Sequence, residues 1–175
     1  WQEIEGVANR GDFDLTAHAK ASGEDLSYFD EATKERYVPY VIEPSAGVER
    51  IALALLCEAY AEEPMANGEK RIALKLHPKM APVKVAVFPL LANKPDLVKL
   101  ARKIYDELKQ EFTVAWDDRG NIGKRYFSQD EIGTPYCVTV DFESLEQRDV
   151  TVRDRDSMEQ VRVPIGGLAA HLRKK

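Results

Sequence analysis

Residues 95–112 carry the clearest periodicity in the chain. Apolar side chains recur there every three or four positions, and lysine, arginine and aspartate occupy the positions between them. This spacing places the apolar residues on one side of an α-helix and the charged residues on the other. Pro95 and Asp96 stand at its start, where proline and acidic residues favour a helix N-terminus. The pattern therefore predicts an amphipathic helix with one buried side.

Short runs rich in β-branched and aromatic residues, bounded by turn-forming residues, predict strands around this helix. The runs are residues 83–88, 113–116, 136–141, 149–153 and 158–163. Helical patterns over residues 122–132 and 165–173 complete the order β-α-β-α-β-β-α. Because β-α-β crossovers are right-handed, the first three strands are expected to be parallel, and the final hairpin adds antiparallel strands at an edge. The prediction is an α/β fold with a mixed five-stranded sheet and three helices.

The N-terminal residues give weaker patterns. An extended stretch near the start places Glu3 and Glu5 on one face if side chains alternate there. Asp12 is a good N-cap for the helix predicted after it. The alternative for this segment is a metal site formed by Asp12 with Asp14 and His18. The N-cap is the favoured interpretation.

Turn-forming residues divide the chain near its middle. Residues 61–70 are polar and contain proline and glycine, which predicts an exposed loop. Residues 71–76 then predict a strand, and residues 79–82 a hinge. The prediction is two domains, residues 1–79 and residues 80–175.

Composition is typical of a globular protein, with 44% hydrophobic and 31% charged residues. The longest apolar run is far shorter than the roughly 20 residues that cross a bilayer, so no membrane partner is expected. Cys57 and Cys137 lie in apolar stretches and form no C-x-x-C pair. They predict reduced core cysteines of a cytoplasmic protein, and no zinc.

Charge is unevenly distributed along the chain. Residues 1–80 hold 15 acidic and 9 basic side chains, whereas the remainder holds 15 and 16. An acidic protein with a net charge of -5 does not attract nucleic acid over its whole surface. Any phosphate contacts are therefore expected from local patches in the second half.

Residues 37–60 carry the most specific chemistry. An apolar extended run ends at Glu43, a Pro44-Ser45-Ala46-Gly47 break follows, and Arg50 stands in the first turn of an apolar helix. Unpaired backbone N–H groups at a helix start, reinforced by a guanidinium, favour phosphate. The Glu43 carboxylate favours an ammonium group. The segment can therefore hold a cation and a phosphate side by side, the two ends of an amino acid activated by ATP.

Three segments resemble class II aminoacyl-tRNA synthetases, in the form typical of the dimeric glycyl-tRNA synthetases: PYVIEPSAGVER, EIEGVANRGDFDL and LHPKMAPVKVAVFPLL. The first is similar to the third signature motif of that class. The segment GNIGKRYFSQDEIGTPYCVTVD resembles the anticodon-binding domain shared by the glycyl, histidyl, prolyl and threonyl enzymes. The resemblance implies a remnant of the antiparallel catalytic sheet followed by that domain. No candidate for the first or second motif is found, so an inactive C-terminal fragment of a homodimeric ligase is expected.

The resemblance implies roles for individual residues. Arg50 is the catalytic candidate, in contact with the γ-phosphate of ATP. The candidates for glycine binding are Glu43, Pro44, Ser45, Ala46 and Gly47. The candidates for ATP binding are Glu3, Ile4, Gly47, Val48, Glu49 and Arg50. Glu3 is also expected to hold the Mg²⁺ that accompanies ATP, since oxygen ligands suit that cation.

In the second half, cations beside an aromatic side chain are candidates for binding exposed anticodon bases of tRNA(Gly). They are Arg119, Lys124, Arg125 and Phe127; the alternative is that these residues are ordinary surface. Two other functions remain open at this point. One is a non-catalytic nucleic-acid-binding paralogue of a class II synthetase, and the other is an α/β interaction domain with a coincidental motif.

Overall fold

A computed structural model of the chain describes residues 3–65 and 68–174. The chain divides into two compact units, Trp1–Ala54 and Leu55–Lys175. Within the described residues no helix combines the length and the apolar character needed to span a membrane.

The first unit consists of short antiparallel strand pairs and helical segments. Strand β1 pairs with β4, and β2 pairs with β3. The bounds are β1 Glu5–Asn9, α1 Phe13–Ser22, β2 Tyr28–Phe29, β3 Arg36–Tyr37, β4 Ile42–Ala46 and α2 Val48–Ala59, whose last residues belong to the second unit.

Two predictions about the first unit need correction. Asp12 does occupy the N-cap position of α1, but its side chain makes no capping hydrogen bond. Strand β1 begins only at Glu5, after a bend at Ile4. The alternation of side chains therefore does not extend back to Glu3, and the predicted shared face of Glu3 and Glu5 is wrong.

After the end of α2, the second unit contains a hairpin of which the sequence predicted only the second strand. Strand β5, Tyr60–Pro64, pairs antiparallel with β6, Lys70–Leu74. Residues 61–70 were expected to be an exposed loop, so that prediction is wrong for β5. The strand is polar because its charged side chains pair across the hairpin, Glu62 with Lys70 at 2.7 Å and Glu63 with Arg71 at 2.6 Å. Such cross-strand pairs stabilise an extended backbone that lacks an apolar alternation.

A mixed five-stranded sheet forms the centre of the second unit, in the order β11-β10-β9-β7-β8. Strand β7 is parallel to β8 and β9, β10 is antiparallel to β9, and β11 is antiparallel to β10 at the edge. The bounds are β7 Val85–Pro89, β8 Val114–Trp116, β9 Tyr136–Val140, β10 Asp149–Asp154 and β11 Gln160–Pro164. The predicted strand directions are confirmed.

Helices cover both faces of this sheet. On one face, Val85 and Val87 of β7 pack with Leu97 and Ile104 of the helix predicted from its periodicity. On the other face, the intervening Ala86 and Phe88 pack with Cys137 and Tyr126. Burial on both faces explains why β7 and β9 are nearly continuous apolar runs.

The helices of the second unit are α3 Pro95–Leu108, α4 Ile122–Ile132, α5 Phe142–Gln147 and α6 Leu168–Arg173, which follows a 3-10 turn at Ile165–Gly167. The sequence did not predict α5, because six residues are too few for a helical period to be visible. Its signal is a capping box. The Asp141 carboxylate accepts from the backbone N of Ser144 at 3.0 Å, and the Ser144 hydroxyl accepts from the backbone N of Asp141 at 3.1 Å.

The two cysteines differ in burial. Cys137 is buried within β9, as predicted. Cys57 is exposed on α2, so the prediction that it is a core residue is wrong for this chain. The apolar residues near it, Ile51 and Leu55, are also exposed, whereas Ala59 at the end of α2 is buried.

Candidate functional site

The pairing of β1 with β4 brings several predicted site residues onto one face. Glu43 lies directly opposite Ala8, and Ser45 lies directly opposite Gly6. Residues two apart on a strand share a face, and so do directly opposed residues of an antiparallel pair. Glu43 and Ser45 therefore project beside the two smallest kinds of residue on β1. The positions directly opposite Glu43 and Ser45 thus carry no bulky side chain, while Pro44 and Ala46 belong to the opposite face.

Glu3 joins this arrangement from outside the strand. Its carboxylate oxygen Oε1 lies 3.6 Å from where a Cβ on Gly6 would stand. Its backbone oxygen accepts a hydrogen bond from Arg50 Nη1 at 2.5 Å. The fold thus brings Glu3 and Arg50 together at one end of the ribbon formed by β1 and β4.

The remaining predicted residues lie on the turn and the helix start. Gly47 precedes α2, and a Cβ placed on it would meet only the Arg50 side chain, at an ordinary distance of 3.8 Å. Val48 and Glu49 form the first turn of α2 and are exposed, as is Arg50. Ile4 is also exposed. The helix start is therefore accessible to a ligand in this chain.

Arg10 contacts the candidate site residue Glu43, and the sequence did not indicate it. Its Nη1 donates to Glu43 Oε2 at 2.8 Å, and its Nε and Nη2 donate to the two carboxylate oxygens of Asp14 at 2.5 and 2.9 Å. The hydrogen bond from Arg10 lowers the pKa of Asp14, and the same bond raises the pKa of Arg10. The i,i+4 spacing of Arg10 and Asp14 is the signal that predicts their pairing. The contact with Glu43 follows only from the strand register.

A self-contained metal site is absent from the described residues, since no group of three or more histidine, cysteine, aspartate or glutamate side chains converges there. Asp12, Asp14 and His18 accordingly do not form one. Glu3 is placed to offer a single carboxylate, which suits Mg²⁺ that is held mainly by phosphate oxygens.

In the second unit, a groove of about 480 Å³ opens at the carboxyl ends of β7 and β8. One wall is the segment after β7, residues 90–93, and the other is the start of α4, residues 120–122. Crevices at the carboxyl ends of parallel strands are the usual ligand sites of open α/β sheets. The Asn121 side chain caps α4 by accepting from the backbone N of Lys124 at 2.9 Å, which fixes this wall of the groove.

Arg125 lies at the base of this groove and is 2% exposed. Its guanidinium donates to four backbone oxygens, those of Pro89 at 2.6 Å, Arg119 at 2.9 Å, Gly120 at 2.9 Å and Asp118 at 3.1 Å. These bonds tie the end of β7 to the loop before α4. Arg125 therefore shapes the groove from below.

The other predicted anticodon residues are more accessible. The Arg119 side chain is 88% exposed and pairs with Asp117 at 3.1 Å. Lys124 is exposed, and Phe127 is partly buried on α4. Arg119 precedes the groove-lining Gly120, and Lys124 and Phe127 lie on α4, but none of the three side chains lines the groove.

A family model described as "Anticodon binding domain" matches residues 84–175, which include the whole five-stranded sheet and the groove. The chain belongs to the anticodon binding domain family. Within the anticodon binding domain, the groove occupies the carboxyl ends of β7 and β8, and Arg125 is part of the framework beneath it.

Relatives of the chain match over its whole length. The glycine–tRNA ligase of Borreliella afzelii (strain PKo) is 55% identical over 175 residues, which cover 99% of this chain and 39% of that protein. The glycine–tRNA ligase of Ruminiclostridium cellulolyticum is 54% identical, with 100% of this chain and 37% of that protein covered. The chain spans about two fifths of the length of these relatives. The predicted resemblance to glycyl-tRNA synthetases is confirmed.

A solved structure supports the fold. The prolyl-tRNA synthetase of Cryptosporidium parvum, complexed with L-proline and AMP, matches with a TM-score of 0.65 and 22% identity, covering 98% of this chain and 34% of that chain. At this identity the likeness shows the fold alone. The predicted fold class is confirmed.

Proposed function

We propose that the chain is the part of a glycine–tRNA ligase that carries the third class II motif and the anticodon-binding domain. In this proposal residues 1–79 belong to the catalytic domain and residues 80–175 bind the tRNA. The observation that carries the proposal is an identity of 55% and 54% to two glycine–tRNA ligases that extends across both halves. A non-catalytic nucleic-acid-binding paralogue has no use for the intact Glu43, Ser45 and Arg50.

Glycine binds to the face of β1 and β4 that carries Glu43 and Ser45. Glu43 Oε2 accepts from Arg10, which fixes the carboxylate, and Oε1 accepts from the glycine ammonium. Ser45 and the backbone at Pro44, Ala46 and Gly47 complete the pocket. Any amino acid other than glycine adds a side chain at Cα, so close contacts there exclude every competitor by size.

ATP binds at the other end of the same ribbon. Ala46 pairs with Glu5 and Glu43 pairs with Ala8, a separation of about 10 Å at the usual rise per strand residue. That length suits an extended ligand with an ammonium at one end and phosphates at the other. The Arg50 guanidinium and the N–H groups at Val48 and Glu49 meet the γ-phosphate, while Ile4 lies beside the nucleotide and Glu3 beside its Mg²⁺.

The reaction needs no nucleophile from this chain. The glycine carboxylate oxygen attacks the α-phosphorus of ATP, the bond to the bridging oxygen breaks, and pyrophosphate leaves with the electron pair. The glycyl group then passes to a ribose hydroxyl at the end of tRNA(Gly), and AMP leaves. Arg50 contributes by positioning the leaving phosphates and stabilising their charge.

The anticodon loop binds at the groove between β7 and α4. Exposed bases bind at the groove and along α4, where Phe127 offers an aromatic surface beside the groove and Lys124 and Arg119 neutralise phosphates. Arg125 acts through the framework, because its guanidinium is engaged by four backbone oxygens. A homodimeric, cytoplasmic parent enzyme belongs to the same proposal.

The test replaces Arg50 by alanine in the full-length ligase. Glycine-dependent exchange between ATP and pyrophosphate should fall by about 10²-fold or more, as for the loss of a group that stabilises transition-state charge. Binding of tRNA(Gly), measured by filter retention, should stay within a factor of about two, since the groove is unchanged. The matched control is Arg36→Ala, which removes an exposed arginine of the same unit that pairs with Asp25 at 3.0 Å.

An exchange rate that survives Arg50→Ala as well as it survives Arg36→Ala contradicts the role of Arg50. Intact tRNA binding by a full-length wild-type protein that lacks exchange activity identifies the paralogue instead.

A further inference from the structure

A buried charged cluster joins helix α4 to strands outside its own layer. The Asp130 carboxylate is 0% exposed. Its oxygens accept from Arg71 Nε of β6 at 2.8 Å and from Arg153 Nη1 and Nη2 of β10 at 2.8 and 3.0 Å. Charges are costly to bury, and removal of one partner leaves the others uncompensated. The cluster therefore holds α4, β6 and β10 in one geometry, and the loss of one partner destabilises that arrangement.

Arg71 is the member of the cluster that belongs to the hairpin. Besides Asp130, it donates from Nη1 to Glu63 at 2.6 Å and from Nη2 to the backbone oxygen of Arg155. Its side chain is 1% exposed. One guanidinium thus connects β5, β6, α4 and the turn after β10. A lysine ammonium has fewer donors, and they are not held in a fixed planar arrangement, so it cannot make all of these contacts.

Independent contacts hold the same elements together. Arg155 donates to the backbone oxygen of Leu76 at 2.9 Å and to that of Gly133 at 2.8 Å. Helix α4 ends at Gly133, where a Cβ would stand 3.0 Å from the backbone oxygen of Leu74. The end of α4 and the end of β6 therefore approach as closely as the absence of a side chain permits.

The segment predicted to be a hinge, residues 79–82, is also fixed by hydrogen bonds and packing. Lys84 Nζ donates to the backbone oxygens of Pro78 at 2.7 Å and Lys79 at 2.8 Å. Ala81 is 2% exposed and packs with Leu76 and Ala59. This segment is therefore a turn that hydrogen bonds and packing fix in place within the second unit.

From these contacts we infer that the β5–β6 hairpin, which the proposed function places in the catalytic domain, also supports the tRNA-binding domain, and that Arg71 is a positioning residue for helix α4. The inference rests on the proposed function only in taking α4, with Lys124 and Phe127, as a wall of the anticodon site. The match to the anticodon binding domain begins at residue 84, so the hairpin that holds α4 lies outside the recognisable domain.

The test compares Arg71→Met with Lys70→Met in the 175-residue chain. Both changes place methionine on β6 and remove one positive charge, but Lys70 pairs with Glu62 at the surface. Hydrogen exchange of backbone amides in β6 and α4 should become about tenfold faster in Arg71→Met, because local opening of these elements is no longer opposed by the ion pairs. Amides of β7 should change less than those of α4, and Lys70→Met should leave all of them near the wild-type rate.

A second readout separates positioning from direct contact. Affinity for a tRNA(Gly) anticodon stem-loop should fall about tenfold in Arg71→Met, with the slope of affinity against salt unchanged, because a buried guanidinium releases no counterions from phosphate. Lys124→Ala should instead reduce that slope by about one, as expected for a lost phosphate contact.

Arg71→Lys keeps the positive charge but lacks the planar guanidinium with its several fixed donors. Its amide exchange rates and its stem-loop affinity should lie between those of the wild type and Arg71→Met. If circular dichroism shows that Arg71→Met does not fold, Arg71→Lys takes its place as the test variant. The inference is overturned if the amide exchange rates and the stem-loop affinities of the Arg71 variants equal those of Lys70→Met. If the wild-type chain does not bind the stem-loop, the proposed tRNA function fails, whereas the exchange rates still decide whether the hairpin holds α4.

Discussion

Gly133 serves two separate structural needs at one position. Its backbone is left-handed, with a φ of 83°, at the C-cap of α4. A side chain there would also press on Leu74 O and on Leu76 Cδ1, each at 3.0 Å. The first need is common to many helix ends. The second exists because β6 passes directly beneath the end of the helix.

We expect Gly133→Ala to lower the free energy of unfolding by about 3 kcal/mol, through backbone strain and overpacking together. Urea titration followed by tryptophan fluorescence measures it. Gly120 is the matched control, since its φ is 60° and no atom lies within 4 Å of its added Cβ. Gly120→Ala should cost about 1 kcal/mol from the backbone alone; equal losses at the two glycines would contradict the close approach of β6.

The sequence indicates the local position of an arginine better than it indicates the partners of its guanidinium. The sequence marked Arg50 correctly as the arginine that opens α2. It predicted Arg125 as a candidate for binding anticodon bases, with ordinary surface as the alternative, and it indicated no role for Arg10 or Arg71. A guanidinium is bound by whichever carbonyls and carboxylates the fold brings near it, and these include a distant partner in each case, Pro89 for Arg125 and Asp130 for Arg71.

At the scale of elements, helix α2 and strand β9 offer a direct comparison of exposure. Each carries one cysteine in an apolar run, Cys57 in α2 and Cys137 in β9. Burial raises the pKa of the Cys137 thiol far above its usual range. The reactive form of a thiol is the thiolate. The two elements should therefore differ in reactivity even though their sequences look alike.

In the native chain at pH 8, a chromogenic disulfide reagent should modify the exposed Cys57 thiol quickly and the buried Cys137 thiol only after denaturation. Cys57→Ser should abolish the fast phase and keep the slow one. Two fast equivalents in the native chain would show that β9 is not buried between helices as the fold requires.

Long or strongly patterned elements were predictable. The periodicity of α3 and the apolar runs of β7 and β9 identify those elements, because their own residues form the two sides of one core. Strand β5 was missed because its stability comes from pairing with β6. Helix α5 was missed because a capping box and not a repeated apolar face defines it.

At the scale of the whole molecule, ion pairs between distant segments make stability depend on pH. Asp141 caps α5 and also accepts from Arg162 of β11 at 2.5 Å. Burial by itself raises the pKa of Asp141, but the hydrogen bonds from Arg162 and Ser144 outweigh it, and the pKa lies below its ordinary value. A carboxylate with a lowered pKa stabilises the fold above about pH 4, and this stability is lost as the pH falls through the folded-state pKa.

Asp141→Asn keeps an oxygen acceptor for the cap and removes the charge. The variant should be about 1 kcal/mol less stable than the wild type at pH 7. The difference should shrink as the pH falls below about 4, since the wild-type carboxyl then takes up its proton. Urea unfolding at a series of pH values measures both. Glu143→Gln is the control, because Glu143 is exposed and lies 3.5 Å from the same arginine; a pH-independent deficit in Asp141→Asn would contradict the ion pair.

The sequence by itself determined the α/β class, the strand directions of the five-stranded sheet and the motif around Glu43 and Arg50. These depend on local periodicity, on the handedness of crossovers and on residues adjacent in the chain. Tertiary structure alone decided that Arg10 meets Glu43, that Arg125 lies beneath the groove and that Arg71 holds α4 from outside the matched domain. The contacts of Arg10 with Glu43, Arg125 with Pro89 and Arg71 with Asp130 join residues 33, 36 and 59 positions apart, and these partners meet only once the backbone has placed them.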